Sequence, residues 1–158
     1  MADENQVGLG IDVVDIARIE VIIARTPAFL SIFSDEEREY CDSKTRPGVH
    51  YACRFAAREA VCKALGTGFA FGISPKDITV SRTSTGRPVV RLSGRVAEVA
   101  RELEVLELPI SLSYTHTEAV ACAMAITRGS KAAEALRKDP MEELAKQFKS
   151  ARAMLDTL

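Results

Sequence analysis

The chain has 158 residues, 47% of them hydrophobic, enough to bury the core of one compact domain and to exclude global disorder. Charged residues make up 27% and nearly cancel to a net charge of −1, so the basic excess expected of a nucleic-acid binder is missing. The four cysteines, Cys41, Cys53, Cys62 and Cys122, have no CxxC spacing and the two histidines lie far apart, which excludes a zinc finger and a redox motif.

No charged stretch followed by an apolar segment opens the sequence, and its longest apolar run, 119–126, is far shorter than a membrane span. A cytoplasmic protein with no membrane and no nucleic-acid partner is expected. The character of the sequence changes after Thr127, where a polar, helix-favouring tail begins, so the expected organisation is a domain over 1–127 and a helical extension over 128–158.

From Gln6 to Val14 the sequence alternates, with Val7, Leu9, Ile11 and Val13 on one face and Gly8, Gly10 and Asp12 on the other. This predicts a strand with a bare face. That face either leaves room beside the Asp12 carboxylate for a ligand or metal, or admits a close-packed helix while Asp12 caps the next element. The glycines also match half of a dinucleotide fingerprint, but Val13 stands where its third glycine belongs and no repeated parallel-strand pattern comes after it.

Asp15 is placed to cap a helix to Arg25 with an apolar stripe of Ile16, Ile19, Ile22 and Ile23, ended by Thr26 and Pro27. The run from Ser34 to Glu37 reads as a capping box. A long alanine-rich helix is predicted from Val49 to Leu65, closed by Gly66. At 100° per residue, Cys53, Ala56, Ala57, Ala60 and Ala64 form a small-residue face suited to lying close on a sheet. Arg54 and Arg58 fall on the opposite side, and Glu59 and Lys63, one turn apart, on the border.

Two short strands, Asp77 to Arg82 and Arg87 to Leu92, are predicted around the turn at 83–86, then helical spacing from Ser93 to Glu104. Ile110 to Tyr114 and Ala119 to Ile126 read as a second hairpin turning at 115–118. In its second strand Val120, Cys122, Met124 and Ile126 alternate with alanines, and this period of two outweighs the helix propensity of alanine. In the tail, Asp139 and Pro140 form a helix start, and Met141, Leu144, Phe148, Ala151 and Leu155 repeat with 3-4 spacing, predicting a helix that packs on a neighbouring surface.

Two separate segments, Gly8 to Glu20 (GLGIDVVDIARIE) and Arg54 to Gly68 (RFAAREAVCKALGTG), together resemble the signatures of the holo-acyl-carrier-protein synthase family of phosphopantetheinyl transferases. The resemblance extends through the Phe33-Ser34 helix start, the strand from Asp77 to Val80, the turn from Gly86 to Pro88 and the strand from Ser111 to Ser113. It implies an α+β fold of the 4′-phosphopantetheinyl transferase type, a small antiparallel sheet packed against a long helix, and a homotrimer with active sites between protomers. It implies an enzyme that moves the 4′-phosphopantetheine group of coenzyme A to a serine of apo-acyl-carrier protein, leaving adenosine 3′,5′-bisphosphate, in fatty acid biosynthesis.

The resemblance further implies that Asp12 and Glu59 bind Mg²⁺, that Glu59 and Lys63 are catalytic, and that Arg54, Lys63 and Gly66 hold coenzyme A. Mg²⁺ takes one or two carboxylates together with phosphate oxygens and waters, which this set can supply. Proton removal from the serine stays open between Glu59 and a metal-bound water. Arg18 resembles the position that docks the acidic carrier, and Arg25 lies two turns later on the same helix face. The sequence departs from the family at Arg58, where a lysine is common, and at Tyr114, where a histidine is common, with His116 two residues later in the expected turn. Competing readings are a transferase for other carrier domains and a non-catalytic coenzyme-A-binding module; loss of Asp12, Glu59 or Lys63 would favour the latter, and all three are present.

Overall fold

The computed structural model describes residues 7–136 and 140–155. In chain order the elements are β1 (Gly8–Asp15), α1 (Ile16–Arg25), a 3-10 turn (Pro27–Ile32), α2 (Asp35–Asp42), α3 (Pro47–Ala64), a short 3-10 turn (Pro75–Asp77), β2 (Ile78–Arg82), β3 (Pro88–Leu92), α4 (Gly94–Glu102), β4 (Val105–Glu107), β5 (Ile110–Tyr114), β6 (Glu118–Thr127), α5 (Arg128–Leu136) and α6 (Pro140–Leu155). The expected α+β architecture is present. β6 is the central strand of an antiparallel sheet, with β1 along one edge and β5, then β4, along the other, while β2 and β3 form a separate hairpin. The three-residue β4 has no counterpart among the predicted elements, being too short to show a period of two.

The bare face of β1 packs inward. Gly8, Gly10 and Asp12 lie opposite Ala125, Ala123 and Ala121, and the alanines of β6 are buried. A Cβ at Gly8 would stand 2.0 Å from the carbonyl oxygen of Ala64, and one at Gly10 1.9 Å from that of Ala60. The glycines therefore serve to let the backbone of α3 approach the strand. The cap is Asp15, not Asp12: its carboxylate accepts a hydrogen bond from the Arg18 N–H at 2.7 Å. The large apolar side chains are left on the outer face, where Leu9 is 57% and Val13 56% exposed.

The capping box at Ser34 forms as expected, with the Ser34 hydroxyl accepting from the Glu37 N–H and the Glu37 carboxylate accepting from the Ser34 N–H. α3 begins with Pro47 in its first turn and ends at Leu65, after which Gly66 takes φ +72, a conformation that favours glycine. Its far side is covered too. Arg54 and Arg58 do lie opposite the alanine face, yet both are buried, because α2, the 3-10 turns and β2 close over that side. A core of Ile16, Ile19, Phe33, Cys41, Val49, Val61, Ile78, Val80 and Val96 fills this second layer.

The tail forms α5 and α6, but the expected docking of its apolar stripe is not met within this chain. Leu144, Phe148, Ala151 and Leu155 are all exposed on α6. The proposed cap at Asp139, like Gln6 at the start of the predicted strand, lies outside the described residues.

Candidate active site

β1 carries Asp12 on the face that meets α3, and the helical repeat sets Glu59 and Lys63 on the edge of α3 nearest to it. The Lys63 ammonium donates to the Asp12 carboxylate at 2.8 Å and to the Ile11 carbonyl at 2.9 Å. The Asp12 side chain is 15% exposed and that of Lys63 51%, so the pair borders solvent. Glu59 is half-buried, and its carboxyl is held above its ordinary pKa, first by burial and then by the Asp12 carboxylate, with Lys63 opposing both. Two carboxylates and one ammonium, brought from strand and helix 51 positions apart for Asp12 and Lys63, thus share one electrostatic site.

No cluster of three or more histidine, cysteine or carboxylate ligands occurs among the described residues. The donors here suit a hard cation that takes only two protein carboxylates. A divalent ion would offset both the burial and the Asp12 repulsion that raise Glu59, and the oxygen donors match Mg²⁺ rather than a thiolate-seeking metal.

Toward the start of α3 a second feature gathers. The Arg54 guanidinium lies 4.2 Å from the Tyr40 ring centroid, with Lys44 at 4.4 Å and Arg82 at 5.2 Å from the same ring. The Nε of Arg54, a residue only 2% exposed, has no hydrogen-bond partner. Arg46 reaches the turn between β5 and β6, donating to the His116 carbonyl at 3.4 Å. His50, beside Tyr40 and Tyr114, is pushed below its ordinary pKa by burial and then by Arg54, Lys44 and Arg82. Sequence reasoning found Arg54 but missed Lys44 and Arg82, whose meeting with it depends on the fold of three separate segments.

Arg58 takes no part in either cluster. Its guanidinium makes a buried pair with Glu37 through both nitrogens, at 2.9 and 2.6 Å, and donates to the carbonyls of Pro75, Ile32 and Arg54. The Val80 N–H completes the Glu37 carboxylate. A guanidinium fork satisfies this ring of acceptors in a way that a lysine could not. Gly66 follows the end of α3 about two turns beyond Glu59, with open space where a side chain would stand. Arg18 and Arg25 are exposed on α1, whereas His116 and Tyr114 sit at and near the tip of the β5–β6 hairpin, Tyr114 stacked edge-on to His50.

Comparison with known proteins bears out the family resemblance. The family model of the 4′-phosphopantetheinyl transferase superfamily matches residues 8–125. Holo-[acyl-carrier-protein] synthases of Moorella thermoacetica and Syntrophus aciditrophicus are 46% and 42% identical, over 73% and 71% of this chain and 90% and 89% of theirs. The chain belongs to the holo-[acyl-carrier-protein] synthase family of phosphopantetheinyl transferases. Among solved structures of the family, the Neisseria meningitidis synthase aligns with a TM-score of 0.70 at 27% identity, over 76% of this chain and 98% of its own. The Helicobacter pylori synthase, solved in complex with coenzyme A, aligns with a TM-score of 0.66 at 32% identity, over 75% of this chain and 99% of its own. In this chain, the glycine- and alanine-lined contact of β1 and β6 with α3 is the part of the fold that sets Asp12 beside Glu59 and Lys63.

Proposed function

We propose that this chain transfers the 4′-phosphopantetheine group of coenzyme A to a serine of apo-acyl-carrier protein, with Mg²⁺, as a cytoplasmic step of fatty acid biosynthesis. The observation that carries the reading is the convergence of Asp12, Glu59 and Lys63 at a solvent border. Asp12 and Glu59 would hold the ion. When bound, it supplies charge neutralisation for the diphosphate and makes the phosphorus more electrophilic.

In the reaction the serine oxygen attacks the β-phosphorus, the bond to the bridging oxygen breaks, and adenosine 3′,5′-bisphosphate leaves with that oxygen. Lys63 is exposed enough to move from Asp12 to the phosphate oxygens as their charge develops. Glu59, a carboxylate of the same site, would take the serine proton. Arg54, joined by Lys44 and Arg82, would hold the nucleotide phosphates, since the unsatisfied Nε and the crowd of cations both call for an anion. Gly66 would keep the turn beside Lys63 free of a side chain. Arg18 and Arg25 would receive the acidic carrier.

A homotrimer with shared sites fits the uncovered outer face of the sheet, where Leu9, Ile11 and Val13 face solvent in the single chain. A fully active monomer in sedimentation would contradict that assembly. No helix among the described residues is long and apolar enough to cross a membrane. Mass spectrometry tests the activity itself: an apo-carrier mixed with this protein, coenzyme A and Mg²⁺ gains about 340 Da. An unchanged carrier mass refutes the proposal.

A further inference from the structure

The segment after α3 is built of tight turns. The Thr67 N–H donates to the Cys62 carbonyl, Ala70 to Thr67 and Ile73 to Ala70, so residues 67–73 stay folded against the end of the helix that bears Glu59 and Lys63. Ile73 is buried and Phe69 packs on the core, which anchors the segment at two points. Between them, Phe71 is 75% exposed and has φ +60, with Gly72 next to it at φ +78.

Positive φ at both central residues of a four-residue turn closed by the Ile73 to Ala70 hydrogen bond is the signature of a type I′ turn. Asn-Gly, Asp-Gly or Gly-Gly satisfies such a turn without cost, and a bulky aromatic at its first central position is a conformational outlier. The other non-glycine residue at positive φ among the described residues, Glu104, has a local reason: it stands just past the end of α4, where its N–H returns to the Arg101 carbonyl. Phe71 has no such reason. Its ring gains no burial within the chain, while its backbone is held where a phenylalanine is disfavoured, and residues held in this way cluster at ligand clamps.

We propose that Phe71 is a contact for coenzyme A, its ring covering the apolar part of the molecule that flanks the diphosphate. The inference rests on the proposed transferase function. Lys63 lies in the last turn of α3 and Phe71 eight positions later in a segment folded back on that helix end, so a diphosphate at Lys63 has its flanking groups within reach of the ring. An apolar ring suits the adenine or the pantetheine chain of the coenzyme, whereas the acidic carrier calls for cations.

Calorimetric titration of coenzyme A in the presence of Mg²⁺, into wild type, Phe71→Asn and Phe71→Trp, tests this together with thermal unfolding of each. Asparagine suits the turn, so the melting temperature of Phe71→Asn should equal or exceed that of wild type. Its Kd for coenzyme A should rise about tenfold, as expected for roughly 60 Å² of lost apolar cover, while Phe71→Trp stays within about threefold. Titration with adenosine 3′,5′-bisphosphate identifies the moiety: a parallel weakening assigns the ring to the adenine, and an unchanged Kd assigns it to the pantetheine chain. Wild-type affinity for coenzyme A in Phe71→Asn overturns this inference alone, and so does a lowered melting temperature that tryptophan does not restore. A wild-type protein that binds no coenzyme A overturns the functional reading with it.

Discussion

Gly10→Ala isolates the contact on which the site is built. The added Cβ would stand 1.9 Å from the Ala60 carbonyl oxygen and 2.6 Å from the Ala64 nitrogen, both backbone atoms that no rotamer change can remove. Bringing the first of these to the 3.0 Å below which real Cβ contacts are essentially never found requires β1 and α3 to part by about 1 Å. Overpacking of this kind costs about 1–3 kcal/mol, and with backbone on both sides the upper end, about 3 kcal/mol, is expected. Urea unfolding monitored by circular dichroism should show the midpoint falling by about 1 M or more. The same displacement acts on Asp12 two residues along, stretching its 2.8 Å bond to Lys63 toward the limit of hydrogen bonding. A misplacement of that size should cost about 10²-fold in transfer rate. A Gly10→Ala protein with the wild-type midpoint and rate would refute the claim that these glycines set the distance between strand and helix.

The buried layer yields two more expected outcomes. Arg58→Met leaves the Glu37 carboxylate buried without its counter-charge and should cost about 3–5 kcal/mol, while the double variant Glu37→Gln with Arg58→Met should recover much of the loss in the same unfolding assay. His50 has a folded-state pKa below its ordinary value of 6.5, so the unfolded chain takes up the proton first as pH falls. Its contribution is intact above pH 6.5 and is lost as pH drops through the lower folded value. His50→Gln should therefore flatten the decline in melting temperature below pH 6.5, and a slope equal to that of wild type would contradict the assignment.

Much of the fold was legible from local signals. Asp15 and the Ser34 box capped the helices they were expected to cap, and the period of two in β6 prevailed over alanine propensity because those alanines are the floor on which α3 lies. The hidden parts depend on partners distant in sequence. The alternation of β1 defines two faces but not which one packs inward, and here the glycine and alanine face is chosen because a helix backbone needs to come within van der Waals contact. The helical repeat put Arg58 opposite the alanine face, and only the arrival of Glu37, 21 positions earlier, together with the Ile32 and Pro75 carbonyls, makes it a buried cation. Asp12, Glu59 and Lys63 were identifiable through two signatures, whereas Lys44 and Arg82 belong to no signature and meet Arg54 around Tyr40 only through the packing of α2, α3 and β2. The repeat in α6 showed an amphipathic helix correctly but could not show that its stripe stays uncovered in the single chain.

The account stands on Asp12 and Glu59 acting on the same ion. Mg²⁺-dependent binding of coenzyme A should be measured for wild type, Asp12→Asn, Glu59→Gln and the double variant. If one ion is held by both carboxylates, each single variant loses most of the Mg²⁺-dependent affinity and the double variant loses little more than either. Losses that add in full would mean that the two side chains serve separate sites, and the proposed centre would have to be given up.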